Sequence, residues 1–176
     1  MSENTLVAFY RGDGRDHRGR SLSDVHGFDF YELEFNHDYI QWLFPLPEPS
    51  GANASAPLLS NDDIARFQSD ESLRKRLLQS FELMLSFFGL ELAHAGGAGA
   101  ISVRKTRFDE RHKEWLHPGN HNFLRISRIL RSLTLLGCVS YASAFLECLE
   151  GIYPERPEVI GNTTIGYWRR AVTAKV

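Results

Sequence analysis

The chain has 176 residues, and its 20 basic and 22 acidic side chains give a formal net charge of -2. This balance excludes a global electrostatic attraction to nucleic acid or to an anionic membrane surface. The length is typical of one domain, and a hydrophobic fraction of 43% supplies enough apolar side chains for a packed core.

Neither a targeting segment nor a membrane span is visible in the sequence. The N-terminus lacks a basic region followed by an apolar core, and no run approaches the roughly 18 apolar residues of a transmembrane helix. Cys138 and Cys148 form no disulfide framework and no CxxC pair, so both are expected to be buried, reduced thiols. Together these features predict a cytoplasmic protein.

Short helices joined by loops are predicted for the first part of the chain. The sequence favours a helix over residues 5–10, a loop over residues 11–16, and short helical pieces over residues 21–33, interrupted at Gly27. Little of the sequence shows the alternation of apolar and polar side chains that indicates a strand.

Residues 37–44 are predicted to form a buried helix. Tyr39, Trp42 and Leu43 share one face at helical spacing, and the other apolar side chains of the segment form a second face. Pro45 is expected to end this helix. Because both faces are apolar, Trp42 is expected to be deeply buried.

The middle of the chain predicts the longest helix. Residues 45–57 contain four prolines and are predicted to form a surface loop, after which Ser60 is placed to cap a helix over residues 61–68. Residues 71–88 repeat apolar side chains at helical spacing, and Gly89 supplies the left-handed residue that ends this helix.

Helices are also predicted for the rest of the chain. Residues 93–100, rich in Gly and Ala, are predicted to form a loop. Residues 101–115 are ambiguous: the start of this segment is extended, and whether a helix begins at Thr106 stays open. Further helices are predicted over residues 120–136 and 141–152, with a last short helix near the C-terminus. The sum is an all-α fold: a single globular domain of about six or seven helices over residues 1–176.

Three blocks of the sequence resemble one protein family. They are NHDYIQWLFP at residues 36–45, FELMLSFFGL at residues 81–90 and HNFLRISRILRSL at residues 121–133. In order and spacing they resemble the opioid growth factor receptor conserved-domain family, and the likeness covers about residues 9–149.

The resemblance implies a receptor-related function. In animals the domain belongs to a receptor for an endogenous opioid peptide that restrains growth and lies at nuclear and perinuclear membranes. This chain shows no tail or repeat array after the domain, and so it is similar to short, stand-alone relatives outside animals. We therefore expect a non-catalytic binding domain for a peptide, a protein partner or a small anion, with a role in signalling.

The best candidate for ligand binding lies at the start of the predicted helix over residues 120–136. His121, Asn122, Arg125 and Arg128 surround a helix N-terminus, where backbone N–H and guanidinium groups together can bind a phosphate or a carboxylate. The alternative is a structural role, in which the arginines form a solvated face or pair with acids such as Glu32, Glu34 or Asp38.

His37 and Asp38 form a second candidate pair, ahead of the aromatic segment. A histidine beside an acid can act as a general base with its orienting group. The alternative is an N-terminal cap, in which Asn36 or Asp38 accepts hydrogen bonds from the first N–H groups of the helix. No residue is assigned a catalytic role.

Two rival functions stay open. The first is an enzyme that gathers His37, Asp38, His121 and the arginines in one cleft. The second is a nucleic-acid-binding protein that uses the helix face at residues 125–131, although the net charge weakens this signal. A pocket around these residues favours an enzyme or a ligand-binding protein, a flat arginine face favours nucleic acid, and a large exposed apolar patch favours a protein partner.

No metal site and no cofactor is predicted. His112, His117 and His121 are close in sequence, but a Pro-Gly pair interrupts the helix that would align them, and no HExxH motif or cysteine partner supports them. The Gly/Ala run at residues 96–100 follows a helix and lacks a Gly-Lys-Ser/Thr continuation. It is therefore expected to be a flexible connection rather than a phosphate-binding loop.

Overall fold

The computed structural model describes residues 5–95 and 100–173, and most of them are helical. The chain forms two units, Met1–Phe81 and Glu82–Val176, and the boundary falls inside one long helix. None of the helices in these described ranges is both long and apolar enough to cross a membrane.

The first unit is helical, and the second combines helices with a small sheet. The first contains α1 (Thr5–Arg11), α2 (Leu22–His26), α3 (Phe30–Phe35), α4 (Ile40–Leu43), α5 (Asn61–Ser69) and the first part of α6 (Glu71–Phe88). The second continues with β1 (Leu90–Ala95), β2 (Ala100–Lys105), α7 (Phe108–Trp115), α8 (Asn122–Leu135), α9 (Val139–Ile152), a 3-10 turn (Tyr153–Glu155) and α10 (Pro157–Thr173).

Reciprocal capping sets the start of three helices. Ser21, Asp29 and Ser60 each accept a hydrogen bond from the backbone N–H three residues later, and the acid at that later position accepts the N–H of the cap. Because this motif needs only neighbouring residues, the start of each helix is encoded locally. The predicted cap at Ser60 is confirmed.

Aromatic side chains fill the core of the first unit. The ring of Phe9 lies edge-on to Trp42 with centroids 5.1 Å apart, and Tyr10 meets Phe67 in the same way at 4.8 Å. The hydroxyl of Tyr10 donates a hydrogen bond to the carbonyl oxygen of Leu43. Trp42 is 3% exposed, so its predicted burial is confirmed.

Two buried tryptophans organise the second unit. Trp115 Nε1 donates to the carbonyl oxygen of Phe88 at 3.1 Å, and the two rings meet edge-on at 5.3 Å. Trp168 Nε1 donates to the carbonyl oxygen of Phe123 at 3.1 Å, which joins α10 to α8. Helix α9 packs against both of these helices and against β2, so the sheet has a helix on its β2 side.

The sheet begins at a glycine that also ends α6. Gly89 has a φ of +79°, and a Cβ there would lie 2.7 Å from the carbonyl oxygen of Arg107. Both the left-handed conformation and the close approach therefore require glycine, which confirms the predicted end of this helix. From Gly89 onward β1 and β2 run antiparallel, with Leu90 opposite Lys105.

The prediction of an all-α fold with six or seven helices is wrong. Within residues 5–95 and 100–173 there are ten α-helices and a two-stranded antiparallel sheet. Residues 93–95 and Ala100 lie in strands instead of the predicted loop, whereas residues 96–99 lie outside the described residues. Strand β1, with the sequence LELAHA, has no β-branched side chain, so its pairing depends on tertiary packing. A single domain over residues 1–176 stays a prediction.

The helix predicted over residues 37–44 is also shorter than expected. It contains only Ile40–Leu43, and Tyr39, the N-cap residue before the helix, makes no side-chain capping hydrogen bond. The N-cap of this helix is therefore Tyr39 and not one of the two candidates, Asn36 and Asp38. The amide nitrogen of Asn36 donates to the carbonyl oxygen of Glu32 at 2.9 Å, at the end of α3.

We expect Trp42→Ala to lower the free energy of unfolding by about 3–5 kcal/mol, because it leaves a large cavity beside Phe9 in the core. The measurement is a urea melt of both proteins. Phe35→Ala is the matched control, since Phe35 is an exposed aromatic residue of the same unit and its removal should cost less than about 0.5 kcal/mol. A loss below about 1 kcal/mol for Trp42→Ala contradicts the structural role.

Candidate functional site

Asp38, the acid of the first sequence block, lies at the centre of an ion-pair cluster. Its Oδ1 is 2.9 Å from Arg20 Nη2, and its Oδ2 is 2.5 Å from Arg18 Nε and 3.6 Å from His17 Nε2. The Asp38 side chain is only 17% exposed. The carboxylate therefore serves to join the loop before α2 to the segment that leads into α4.

A second acid completes this cluster from within the loop. Asp16 is buried, and its Oδ1 accepts the backbone N–H groups of Arg18 at 2.8 Å and Arg20 at 2.9 Å. Its Oδ2 accepts Arg20 Nε at 2.6 Å. Asp16 thus fixes the loop and holds the Arg20 guanidinium toward Asp38, as a fork that contacts two carboxylates.

The histidine that contacts this cluster is His17. Trp42 Nε1 lies 3.1 Å from His17 Nδ1, and an indole N–H can only donate, so Nδ1 is the acceptor. The ring proton is then on Nε2, which faces Asp38. Since both nitrogens of His17 have partners, this histidine is poorly placed to act as a general base.

The surroundings of Asp38 favour its charged form. Burial by itself raises the pKa of Asp38, but the hydrogen bond and charge of Arg20, with the charge of Arg18, outweigh burial. The pKa therefore lies below the ordinary value of 3.8. At neutral pH Asp38 is an anion held by cations.

The candidate ligand residues of the second unit lie at the start of α8. Asn122 is fully buried, and its Oδ1 accepts a hydrogen bond from Arg125 Nη1 at 3.1 Å. Arg125 is itself only 4% exposed. Asn120 Oδ1 accepts the backbone N–H of Asn122 at 2.7 Å, so a side chain already satisfies one of the donors of the helix N-terminus.

The six predicted ligand residues fall into two groups, one in each unit. His37 is exposed and Asp38 is largely buried in the first unit, whereas His121, Asn122, Arg125 and Arg128 occupy the first turns of α8 in the second. Asn122 and Arg125 contact each other directly, and His121 and Arg128 are half-buried. An anion site at this helix start stays a prediction.

Several contacts of the Asp38 cluster were missed by sequence reasoning. It assigned His17, Arg18 and Arg20 no role, because their acidic partner Asp38 is far along the chain. The available signal was the density of charged side chains in residues 11–20.

A serine and a histidine also lie at hydrogen-bond distance in the first unit. His26 Nε2 is 2.8 Å from Ser80 Oγ, the separation expected of a nucleophile and its base. However, Ser80 is fully buried and its hydroxyl donates to the carbonyl oxygen of Arg76 at 3.3 Å. Burial and the charge of Arg76 lower the pKa of His26, which keeps it neutral. The pair is best explained as a satisfied polar contact of the core.

Metal binding finds no support in the described residues. Within residues 5–95 and 100–173, no three His, Cys, Asp or Glu side chains are grouped so that they could hold an ion. Of the three histidines that are close in sequence, His112 Nδ1 is 2.9 Å from the carbonyl oxygen of Phe108, and His117 Nε2 is 2.6 Å from Asn120 Nδ2.

An open groove of about 370 Å³ lies beside β1. Its walls are formed by Glu82, Ser86, Leu90, Glu91, Leu92, Thr106 and Arg107. Glu91 pairs with Arg104 at 2.6 Å and Arg107 pairs with Glu110 at 2.6 Å, so charged groups of the groove are already neutralised. None of the predicted ligand residues lines it.

The most exposed aromatic surface is a pair of rings on α3. Tyr31 is 72% and Phe35 is 67% exposed, and their rings stack with centroids 5.7 Å apart and planes 11° apart. Sequence reasoning did not identify this pair, because aromatic residues are usually assigned to the core. The available signal was the i, i+4 spacing of two aromatic residues in a short acidic helix.

Comparison with known proteins gives consistent matches. A family model described as the opioid growth factor receptor (OGFr) conserved region matches residues 19–176. The opioid growth factor receptor of Rattus norvegicus is 46% identical over 152 residues, which cover 84% of this chain and 25% of the relative. The opioid growth factor receptor-like protein 1 of Rattus norvegicus is 40% identical over 119 residues, which cover 68% of this chain and 24% of the relative. No solved structure matches.

The chain belongs to the opioid growth factor receptor conserved-region family, as its three sequence blocks predicted. It spans about a quarter of the length of the curated opioid growth factor receptors that it matches.

We expect Asp38→Asn to lower the free energy of unfolding by about 1.5–3 kcal/mol at neutral pH, because it removes the charge that holds Arg20. The pKa of Asp38 is lower in the folded protein than its ordinary value of 3.8. The ion pairs of Asp38 therefore stabilise the fold fully at pH values above 3.8, and this stabilisation is lost as the pH falls through the lower pKa of the folded state. Denaturant melts of wild type and variant should therefore converge in acid.

The control for this variant is Glu150→Gln. Glu150 pairs with Arg169 at 2.8 Å, but both side chains are exposed, so the change should cost less than about 1 kcal/mol. Equal stability of the wild type and Asp38→Asn at neutral pH would falsify the structural role of this cluster.

Arg125→Ala tests whether the start of α8 is a ligand site or part of the core. We expect a loss of about 1–3 kcal/mol in stability, because Asn122 Oδ1 loses a charged donor inside the fold. The exposed Arg169→Ala should cost less than about 1 kcal/mol. Thermal shifts with phosphate, a nucleotide and a dicarboxylate complete the test. An anion that stabilises the wild type but not Arg125→Ala would instead support the anion site.

Proposed function

We propose that this chain is a non-catalytic binding domain that contacts a peptide or protein partner through the Tyr31–Phe35 pair of α3. The exposure of this pair is the observation that carries the proposal. The charged residues that were candidates for ligand binding have contacts within the fold, whereas the two rings lie outside it.

The chemistry of the pair suits a protein contact. Aromatic side chains bring a large contact area at a small cost in conformational entropy, and they are enriched among residues that dominate binding energy. A stack of two exposed rings is also unusual beside a core that buries most of the other large aromatic residues of the unit. Covering both rings would remove apolar surface from water on association.

The helix that carries the pair is held in place on its inner side. Its N-terminus has the capping box of Asp29 and Glu32, and the Tyr39 hydroxyl donates to the carbonyl oxygen of Leu33 at 2.9 Å. Leu33 is fully buried. The rings are therefore presented on a fixed support, and a partner that binds them has little ordering entropy to overcome.

The relatives support a binding role in general terms. Several of them are named opioid growth factor receptor, and this chain matches about a quarter of their length. Whether this region contacts the peptide of the receptors or another protein is a question for the experiment below. A cytoplasmic location and a role in signalling stay predictions of the sequence.

The experiment is selection of a displayed library of random short peptides on the immobilised protein. We expect recurring sequences on the wild type and a loss of affinity of roughly 30-fold or more on the double variant Tyr31→Ser/Phe35→Ser. An opioid pentapeptide is titrated in parallel against both proteins. The free energy of unfolding of the double variant should stay within about 1 kcal/mol of wild type, since both rings are exposed.

The matched control is Tyr167→Ser, which removes an exposed aromatic residue from α10. It should bind the selected peptides as the wild type does. The proposal is wrong if no sequence recurs, or if the selected peptides bind the double variant as tightly as the wild type.

A further inference from the structure

We infer that the Tyr31–Phe35 pair binds an arginine side chain of the partner, which lies over the rings while its N–H groups face the carboxylates beside them. This inference rests on the proposed binding role of α3. It specifies the chemistry of the partner, which the proposed function leaves open.

The charge of the segment around α3 favours a cationic partner. Residues 21–65 contain eight acidic side chains and not a single Lys or Arg, although the whole chain is nearly balanced. Of these eight, Asp24 and Asp38 pair with arginines of the preceding loop, and Asp63 is fully buried. Asp29 and Glu32 are exposed in the first turn of α3, so this part of the surface repels phosphate and attracts cations.

The acids lie on both sides of the ring pair. Successive helical side chains are separated by about 100°, so Tyr31 and Phe35 lie about 40° apart on one face. The same geometry places Glu32 on one flank of that face and Glu34 on the other. Glu32 Oε2 accepts the backbone N–H of Asp29 at 2.9 Å, and Oε1 is the oxygen left for a partner.

In the described part of the chain, several other aromatic rings have a cationic side chain over one face, whereas Tyr31 and Phe35 do not. Arg170 lies over Tyr167 at 4.7 Å, Arg111 over Phe87 at 5.2 Å and Lys105 over Phe108 at 4.5 Å. Within residues 5–95 and 100–173, no cation lies over Tyr31 or Phe35, whose aromatic contact is with each other. Their outer ring faces are therefore open to a cation from another molecule.

Arginine fits this surface better than lysine. Its guanidinium is flat, stacks on an aromatic ring, and still directs N–H groups in its own plane toward carboxylates. A lysine ammonium is more strongly hydrated and has no flat face to stack. Together, stacked rings and flanking acids match the two binding properties of a guanidinium group.

The test is an NMR titration of the full chain, with the ring signals of Tyr31 and Phe35 assigned. The probes are three capped tripeptides, acetyl-Gly-X-Gly-amide, in which X is arginine, lysine or citrulline. Citrulline keeps the shape of arginine without its charge. We expect the arginine peptide to shift both ring signals in a saturable way, about three- to tenfold more tightly than citrulline and more tightly than lysine. The affinity should fall as salt is added.

Glu32→Gln separates the charge of the acid from its structural role. The amide oxygen of the new side chain can still accept the N–H of Asp29, so the cap is kept while the charge is lost. We expect the arginine peptide to bind this variant about two- to fivefold more weakly. In the double variant Tyr31→Ser/Phe35→Ser, which lacks both rings, the arginine peptide should cause no saturable shift in the remaining signals of α3.

Three outcomes would overturn the inference: no shift at either ring, equal binding of the citrulline peptide, or binding of the lysine peptide as tight as that of arginine. Failure here is distinguishable from failure of the proposed function. Neutral peptides selected on the wild type, and lost on the double variant, would leave the binding role of α3 intact and exclude arginine as its ligand.

Discussion

The first unit depends on one chain of charges, from Asp16 through Arg20 to Asp38. The two carboxylates are buried or nearly so, and a buried charge is tolerated only when it is paired and hydrogen-bonded. Arg20 satisfies both acids at once, and it links the loop before α2 to the segment before α4. The hydrogen bond from Trp42 to His17 makes a second link between the same two stretches. The position of the core tryptophan therefore depends on polar contacts as well as on apolar packing.

These contacts give a physical meaning to the block NHDYIQWLFP. Asp38 forms ion pairs, Tyr39 anchors the end of α3, Gln41 Nε2 donates to the carbonyl oxygen of His37 at 3.3 Å, and Trp42 fills the core. Each of these contacts supports the structure, and none of them by itself indicates a catalytic activity. A block of this kind identifies a fold and a family, while function must be argued from surfaces that the fold leaves accessible.

Helix ends that depend on neighbouring residues were predicted well from the sequence, whereas features that depend on residues distant in the chain were not. Ser60 and Gly89 act at the helix ends where their neighbours indicate, because capping involves only adjacent residues. Strand β1 could not be predicted in this way, because its partner strand and the helix behind the sheet decide its conformation. The ion pair between Asp38 and Arg20 was not predicted, because the two residues are 18 positions apart in the sequence. Arg125 was a candidate for anion binding, with a solvated face or an acidic partner as the alternative, and its contact with Asn122 inside the fold was not predicted.

The size of α3 limits what the exposed pair can bind. The helix has only six residues, and one side of it is committed to the core through Leu33. Stacking already hides part of each ring, so the apolar surface still available is that of two outer ring faces and their edges. A surface of this area gives little hydrophobic free energy, and stable contacts between globular proteins usually need a much larger interface. The pair is therefore better suited to one side chain of an extended segment than to the broad face of a folded domain. Under that constraint the flanking carboxylates matter, because charge can select a side chain where apolar area alone is too small to do so.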